Sequence, residues 1–444
     1  MRILVIGAVA AGTSAAAKAR RNDSEAEIII YEKDKDISYA GCGLPYYIGG
    51  VINDLSDITP RNVSYFKMKY NIEIFTRHEV LKIDPGKNEV SVKNLQTNEV
   101  FKDSYDKLVI ATGAFPFIPQ IKGMDRDNVF SLRNVQNAMD IKDFIEKRKP
   151  KEAVIVGTGF IGFEMLENLM RQGIHVTMIE KQNKITPNLD ENMASLLEKM
   201  LAEKNISFVK GTSIAEIQDG RVILENGDAI ACEIVIMAAG VKPNVSMAKD
   251  AGLEMGITGA IKVNNKMQTN IPNIYACGDC IETFSSITNK PVYRPLGSTA
   301  NKTGRIAGEA LTGGNLQYKG SLGTNIFKLF DMTIASTGLS EKEALDAGCE
   351  IIVSMDKKVD KTNHFNGRHM HIKAIADKKS HRLLGAQIIG YEGVDKRIDV
   401  FATLITFGAK VEDLFHLDLA YAPPYSTAKD PIHYTGMILE KSFE

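Results

Sequence analysis

The chain has 444 residues, enough at ~150 per domain for about three domains and several buried cores, which excludes a small disulfide-stapled scaffold. Hydrophobic residues make up 44% and charged residues 25%, ordinary globular values that exclude wholesale disorder and a fibrous protein. With 54 Lys+Arg against 55 Asp+Glu the net charge is −1, so bulk charge points to neither nucleic acid nor an anionic membrane as a partner. No apolar run reaches the ~18 residues of a spanning helix, and the N-terminal apolar stretch is too Gly-rich and too soon followed by Arg20 and Arg21 for a signal peptide. A cytoplasmic protein is expected. Its 5 cysteines are odd in number, which in a reducing compartment argues against structural disulfides and raises the question of a catalytic thiol.

Residues 2 to 6 form a short apolar run that ends at Gly7, and an Ala-rich helical stretch, Ala10 to Arg21, follows directly. A second apolar strand, 28 to 31, ends in Glu32 and completes a βαβ unit of the kind that opens a doubly wound sheet. Glu79 to Phe101 alternates as a hairpin around Asp84-Pro85-Gly86-Lys87, and Leu108 to Gly113 returns as a buried strand. The opening grammar then repeats: a strand from Ala153 to Gly157, a helix from about Phe160 to Arg171, and a strand from His175 to Ile179 closed by Glu180. Ile234 to Gly240 echoes the return strand. Past about Gly320 the pattern changes to strands at Asn325 to Leu329 and His371 to Ala376, with helices near Glu341 to Asp346 and Val394 to Phe407. That reads as a third, α+β domain.

Gly7-Ala8-Val9-Ala10-Ala11-Gly12 keeps the first and third glycines of a phosphate-binding fingerprint, with Val9 in the middle. A strand precedes it and a helix follows; Glu32 sits where a carboxylate accepts from ribose hydroxyls while the helix N-terminus holds a pyrophosphate. Gly157-Thr158-Gly159-Phe160-Ile161-Gly162 is a complete fingerprint in the same context, closed by Glu180. A carboxylate there hydrogen-bonds a free 2′-hydroxyl and repels a 2′-phosphate, so NADH is expected over NADPH, with the adjacent Lys181 partly offsetting the repulsion. Two nucleotide sites in one chain imply an electron relay through a second acceptor such as a flavin.

Ala111-Thr112-Gly113, Ala239-Gly240-Val241-Lys242-Pro243 and Ile274-Tyr275-Ala276-Cys277-Gly278-Asp279 resemble the three further signatures of the pyridine nucleotide-disulfide oxidoreductases, over essentially the whole chain. The resemblance implies an α/β fold with two Rossmann-like dinucleotide-binding domains, for FAD and for NAD(H), and a C-terminal α+β dimerisation domain. It divides the chain into residues 1–149 and 266–320 of the FAD domain, 150–265 of the NAD(H) domain, and 321–444 of the interface domain of a homodimer. It also places Asp279 at the flavin's ribityl and pyrophosphate region and adds Lys33, Ser38, Val80, Glu164 and Ala300 to the cofactor-binding positions.

Cys42 lies between Gly41 and Gly43, just ahead of Pro45, which suits the first turn of a helix. Helix N-terminal amides lower a thiol's pKa and flanking glycines admit a bulky partner, so Cys42 is expected to be a nucleophile held as thiolate. Members similar to glutathione reductase carry a second Cys a few residues on; here the next is Cys232. Cys42 must then cycle as a mixed disulfide with a small thiol or as a sulfenic acid. Cys42-Gly43-Leu44-Pro45-Tyr46-Tyr47 resembles the single-cysteine branch of coenzyme A-disulfide reductases, NADH oxidases and persulfide or polysulfide reductases, as do Leu296 to Lys302, Phe330 to Gly338 and Tyr421 to Ser426. Oxidases of this kind have a His soon after the first fingerprint glycine, where this chain has Ala10 and Ala11; that disfavours oxygen chemistry.

By the same resemblance, Tyr421 approaches Cys42 of the partner subunit, and His364 falls where a second tyrosine stands. Lys18, Arg20 and Arg21, at the end of the first helix, are candidates to hold coenzyme A phosphates, and Ser38 and Tyr425 join the substrate-binding set. Cys277 and Cys280 are read as part of the flavin signature, Cys232 and Cys349 as bland, and His364, His369 and His371 as solvated; no metal is expected. The expected function is NAD(P)H-driven, FAD-dependent reduction of a small-molecule disulfide, persulfide or polysulfide, foremost coenzyme A disulfide or coenzyme A persulfide, with coenzyme A as substrate or adduct. Two rivals stand beside it: an NADH oxidase using a Cys42 sulfenic acid, and a flavin electron-transfer protein serving a protein partner.

Overall fold

A parallel strand is covered on both faces, so it reads as an unbroken apolar run, and Ile3, Leu4 and Val5 are fully buried. The computed structural model describes residues 1–186, 188–204 and 206–443 and sets Arg2–Ile6 at the centre of a five-stranded parallel sheet. From edge to edge its strands are Ile274–Ala276, Lys107–Ile110, Arg2–Ile6, Glu27–Glu32 and Glu73–Thr76. A second parallel sheet repeats the order with Val129–Ser131, Ile234–Met237, Glu152–Val156, His175–Glu180 and Ser207–Lys210. In each, the chain leaves the central strand in opposite directions to its two neighbours, and that switch point opens a crevice at the carboxyl ends of the strands. The helices Ala10–Asn22 and Phe160–Arg171 both begin there.

The sheets and cores depart from the sequence-based division at both joints between its FAD and NAD(H) parts. Val129–Ser131 pairs with Val235, Ile236 and Met237 of the second sheet, although it precedes residue 150. Three half-buried residues are too few to show a period. Ala248, Leu253 and Ile261 belong to the first core, although they precede residue 266. The strands Lys107–Ile110 and Ile234–Met237 stop short of Ala111-Thr112-Gly113 and Ala239-Gly240, which leaves those signatures in loops at the crevice. The alternation of residues 79–101 forms a three-stranded antiparallel sheet, His78–Asp84, Glu89–Asn94 and Val100–Ser104.

The third domain is an antiparallel sheet in the order Asn325–Leu329, Met332–Gly338, Leu383–Gly390, His369–Asp377 and Ile351–Val359, packed with helices Val394–Thr406 and Pro431–Lys441. It is fastened to the second unit by charge as well as by apolar contact. The fully buried Lys373 ammonium pairs with Asp190 at 3.0 Å and with Glu341, and buried Glu167 accepts from the Phe330 N–H at 2.9 Å. Phe163 stacks on Phe327 with ring centroids 5.7 Å apart. No helix among the described residues is long and apolar enough to cross a membrane.

Candidate functional site

Gly7 and Gly157 hold φ of +104° and +103°, and a Cβ on either would clash with a carbonyl, of Ala111 and Ala238 respectively. Only glycine fits those turns. The acids that close the following strands are buried and aimed back at them. Glu32 accepts from the Ala8 N–H at 2.7 Å and the Asp34 N–H at 2.9 Å; Glu180 accepts from the Thr158 N–H at 3.0 Å, the Thr158 hydroxyl at 2.7 Å and the Gln182 N–H at 2.9 Å. Lys33 and Lys181, next in sequence, are exposed. Helices Val135–Arg148 and Pro431–Lys441 are closed by capping boxes, whereas the two helices at the turns have neither a side-chain cap nor an acidic residue in the first turn. Their free N–H groups suit a pyrophosphate. A Cβ at Gly159 would meet nothing within 4 Å, so the space over the second turn is open.

Asp279 follows in a 3₁₀ turn, Gly278–Cys280. Gly278 lies against Ala11 and Ala300: a Cβ there would sit 2.7 Å and 3.9 Å from their methyl carbons. Its N–H donates to Thr303 Oγ1 at 3.1 Å. Arg133, which the sequence motifs did not single out, pairs with Asp279 at 3.2 Å and lies beside Gly113. Val80 is buried in the first core. Phe160 turns its ring edge-on to Phe327 at 5.5 Å, toward the third domain.

Of the five cysteines, Cys42 alone is exposed. Its segment is tied to the first turn, since Ser38, at φ 50°, donates its N–H to the Ala8 carbonyl at 2.9 Å. The glycines beside Cys42 do different work. Gly41 has only Tyr39 within reach of an added Cβ, at 3.9 Å, and leaves an open approach, whereas Gly43 is packed on Ile58. The surroundings of Cys42 do not favour the depressed thiol pKa expected from the helix alone. Crowding by protein pushes Cys42 up from its ordinary value; Glu164 and Asp279 add to the rise, and Arg133 opposes it. The helix behind Cys42, Leu44–Ile48, has five residues and offers little dipole against two carboxylates. Glu164, on the helix Phe160–Arg171, is itself pushed up to about 7 by burial and by Glu167. Cys277, Cys280 and Cys232 are buried with raised thiol pKa values.

The three basic residues at the end of the first helix differ in what they already hold. Arg20 is committed to backbone carbonyls, among them Tyr70 at 2.8 Å, Ala26 at 2.6 Å and Asn71 at 3.0 Å. Lys18 pairs with Glu309 at 2.6 Å. Arg21 instead lines a pocket with Arg61, Arg305, Tyr65, Tyr70 and Ser14. Among the described residues, none of these three guanidinium groups closes an ion pair within 4 Å, although Lys18, and Arg305 with it, holds down the Glu309 carboxyl, and Arg61 lies 5.7 Å over the Tyr65 ring. Three arginines beside two tyrosines, none locked in a close ion pair, suit a phosphorylated aromatic ligand. Ser14, at the pocket's edge, accepts from Asn301 at 3.0 Å, one turn along the helix from the Gly7–Gly12 turn that carries the Cys42 segment.

Tyr421 and Tyr425 lie in the third domain, 53% and 72% exposed, and among the described residues neither hydroxyl has a hydrogen-bond partner. His364 lies on a 3₁₀ turn, Asn363–Phe365, apart from His369 and His371 on one face of their strand. No hydrogen bond among the described residues joins Tyr421, Tyr425 or His364 to the Cys42 segment of the same chain.

The pyridine nucleotide-disulphide oxidoreductase pattern matches residues 1–294, and its dimerisation domain matches residues 324–431. Coenzyme A disulfide reductase of Staphylococcus haemolyticus is 36% identical over 436 residues, 98% of this chain and 98% of its own. The NAD(P)H sulfur oxidoreductase (CoA-dependent) of Pyrococcus furiosus is 36% identical over 451 residues, 99% of each chain. The crystal structure of reduced Bacillus anthracis CoADR-RHD superposes with a TM-score of 0.97 at 39% identity, over 100% of this chain and 80% of that one.

Proposed function

This chain belongs to the pyridine nucleotide-disulphide oxidoreductase family, and from that premise we propose that it reduces coenzyme A disulfide, or a coenzyme A persulfide, through Cys42 alone. The observation that supports the substrate choice is the pocket of Arg21, Arg61 and Arg305, whose cations and tyrosines suit the phosphates and adenine of coenzyme A, in a chain where Cys42 alone of the cysteines is exposed. Both relatives named above have coenzyme A in their names.

The buried acids, uncapped helices and open Gly159 fit two dinucleotides: FAD at Gly7–Gly12, Glu32, Asp279 and Arg133, and NAD(H) at Gly157–Gly162 and Glu180. Held by these residues, the flavin would supply a two-electron relay from the nicotinamide to sulfur. Glu180 offers a carboxylate to the ribose and favours NADH. The residues of the chain do the rest. Cys42 Sγ, as thiolate, attacks one sulfur of the disulfide; the S–S bond breaks, a Cys42 mixed disulfide forms, and one thiolate departs. The proton that turns it into a free thiol comes from Tyr421 of the partner subunit, whose exposed hydroxyl, like that of Tyr425, has no hydrogen-bond partner among the described residues of its own chain. Two electrons and a second proton then release the other thiol and return Cys42.

Mass spectrometry of the unreduced protein tests this reading. A coenzyme A adduct on Cys42 is expected; added oxygen atoms alone would favour the oxidase instead, and an unmodified thiol that never takes up coenzyme A disulfide would sink both.

A further inference from the structure

Residues 421–430 form no helix or strand, yet their backbone is held firmly from beneath. Arg397, on the helix Val394–Thr406, is 1% exposed. Its Nε and Nη2 donate to the two carboxylate oxygens of Asp430 at 3.0 and 2.8 Å. Nη2 also reaches Ser426 Oγ at 3.3 Å and the Asp360 carbonyl at 2.9 Å. Buried Ser426 donates to Asp430 at 2.7 Å. Above this clamp, Lys396 Nζ donates to the Tyr425 carbonyl at 3.1 Å, and Thr362 Oγ1 donates to the Pro423 carbonyl at 3.1 Å while lying 3.2 Å from His364 Nε2.

One guanidinium therefore joins the two segments that present Tyr421 and His364. Their backbones are fixed and their side chains are exposed, the pattern of a surface shaped for something outside its own chain. A buried ion pair is a weak device for stability, because desolvation offsets the attraction, whereas a planar fork with bidentate bonds is a strict device for geometry. We propose that Arg397 is a positioning residue for the active site of the neighbouring subunit: acting through Asp430, Ser426 and the Asp360 carbonyl, it sets where Tyr421 and His364 stand relative to Cys42 of the partner subunit. This rests on the subunit-swapped site proposed above.

The test uses holoenzyme carrying Arg397→Lys, which keeps the charge and loses the fork, and separately Ser426→Ala, which removes only the clamp's hydroxyl. Turnover of coenzyme A disulfide should fall by about tenfold or more in Arg397→Lys and by a few-fold in Ser426→Ala, with KM for NADH and the rate of flavin reduction within about twofold of wild type. Folded dimers of both variants with wild-type turnover would overturn the proposal, and if Arg397→Lys does not fold, Ser426→Ala decides. Mixed dimers of Cys42→Ser and Arg397→Lys chains should regain roughly half of wild-type turnover, because the first chain lends an intact clamp to the second chain's thiol. If these stay inactive while Cys42→Ser and Tyr421→Phe mixtures regain activity, the role of Arg397 is wrong and the swap stands. If neither mixture regains activity, the swap fails and the positioning role with it.

Discussion

The two nucleotide units share a strand order, a positive-φ glycine and a buried acid, yet they are enclosed differently. The first helix is packed on one side by the helix Gly297–Leu311, where Gly304 and Gly308 approach so closely that a Cβ would collide with the Ala11 and Ala15 carbonyls. The second helix packs Phe163 and Glu167 on the third domain and leaves the loop at Ala239 and Gly240 exposed. One fold thus yields a closed site suited to a resident cofactor and an open one suited to a cofactor that must come and go. The distinction lies in the neighbours of the helices, not in the fingerprints.

Alanine at the paired glycines should break the symmetry most sharply. Gly7→Ala should purify without flavin, read by the loss of visible absorbance, because a methyl group must enter the Ala111 carbonyl at a φ that L-residues avoid. Gly157→Ala should keep its flavin and raise KM for NADH by on the order of tenfold or more, since the same clash falls on the exchangeable site. Equal flavin loss in both would show that the two sites are not separable.

A pair of milder lesions should sharpen the contrast. Arg61→Ala with Arg305→Ala should raise KM for coenzyme A disulfide by roughly tenfold while leaving NADH kinetics alone, two solvent-screened contacts contributing about 0.7 kcal/mol each. An unchanged KM would remove the pocket from the substrate path. Glu180→Arg should shift the ratio of NADH to NADPH efficiency by about tenfold toward NADPH. It should also lower Tm, because Glu180 holds Thr158 and Gln182. A wild type that already prefers NADPH would contradict this reading.

The smallest effect crosses between the units. Glu164 of the second helix raises the Cys42 thiol of the first unit, so Glu164→Gln should lower that pKa and speed alkylation of Cys42 by about threefold at pH 8. Glu164 itself titrates at about 7, so the wild-type carboxyl is neutral below that pH and the difference should shrink there. An unchanged pH profile would show that the two groups do not interact.

What sequence revealed was local. Buried parallel strands read as Ile and Val runs, and Gly7, Glu32, Gly157 and Glu180 stood out because strand, turn and helix are contiguous. Tyr421 was reachable through family resemblance alone. The arginine-lined pocket was not legible as a unit, because Arg61, Arg305 and Tyr70 come from distant segments without a shared period. The commitment of Arg20 to five carbonyls was equally invisible, since Arg20 and Arg21 differ only in which side of the helix they leave. The upward push on the Cys42 thiol was hidden for the same reason: its neighbouring carboxylates, Glu164 and Asp279, arrive from other elements.

The central claim is that one thiol, Cys42, carries the reduction. Cys42→Ser holoenzyme should therefore be reduced by NADH at the wild-type rate in stopped flow and show no turnover of coenzyme A disulfide or persulfide above background. Retained turnover with Ser at position 42 would contradict the account.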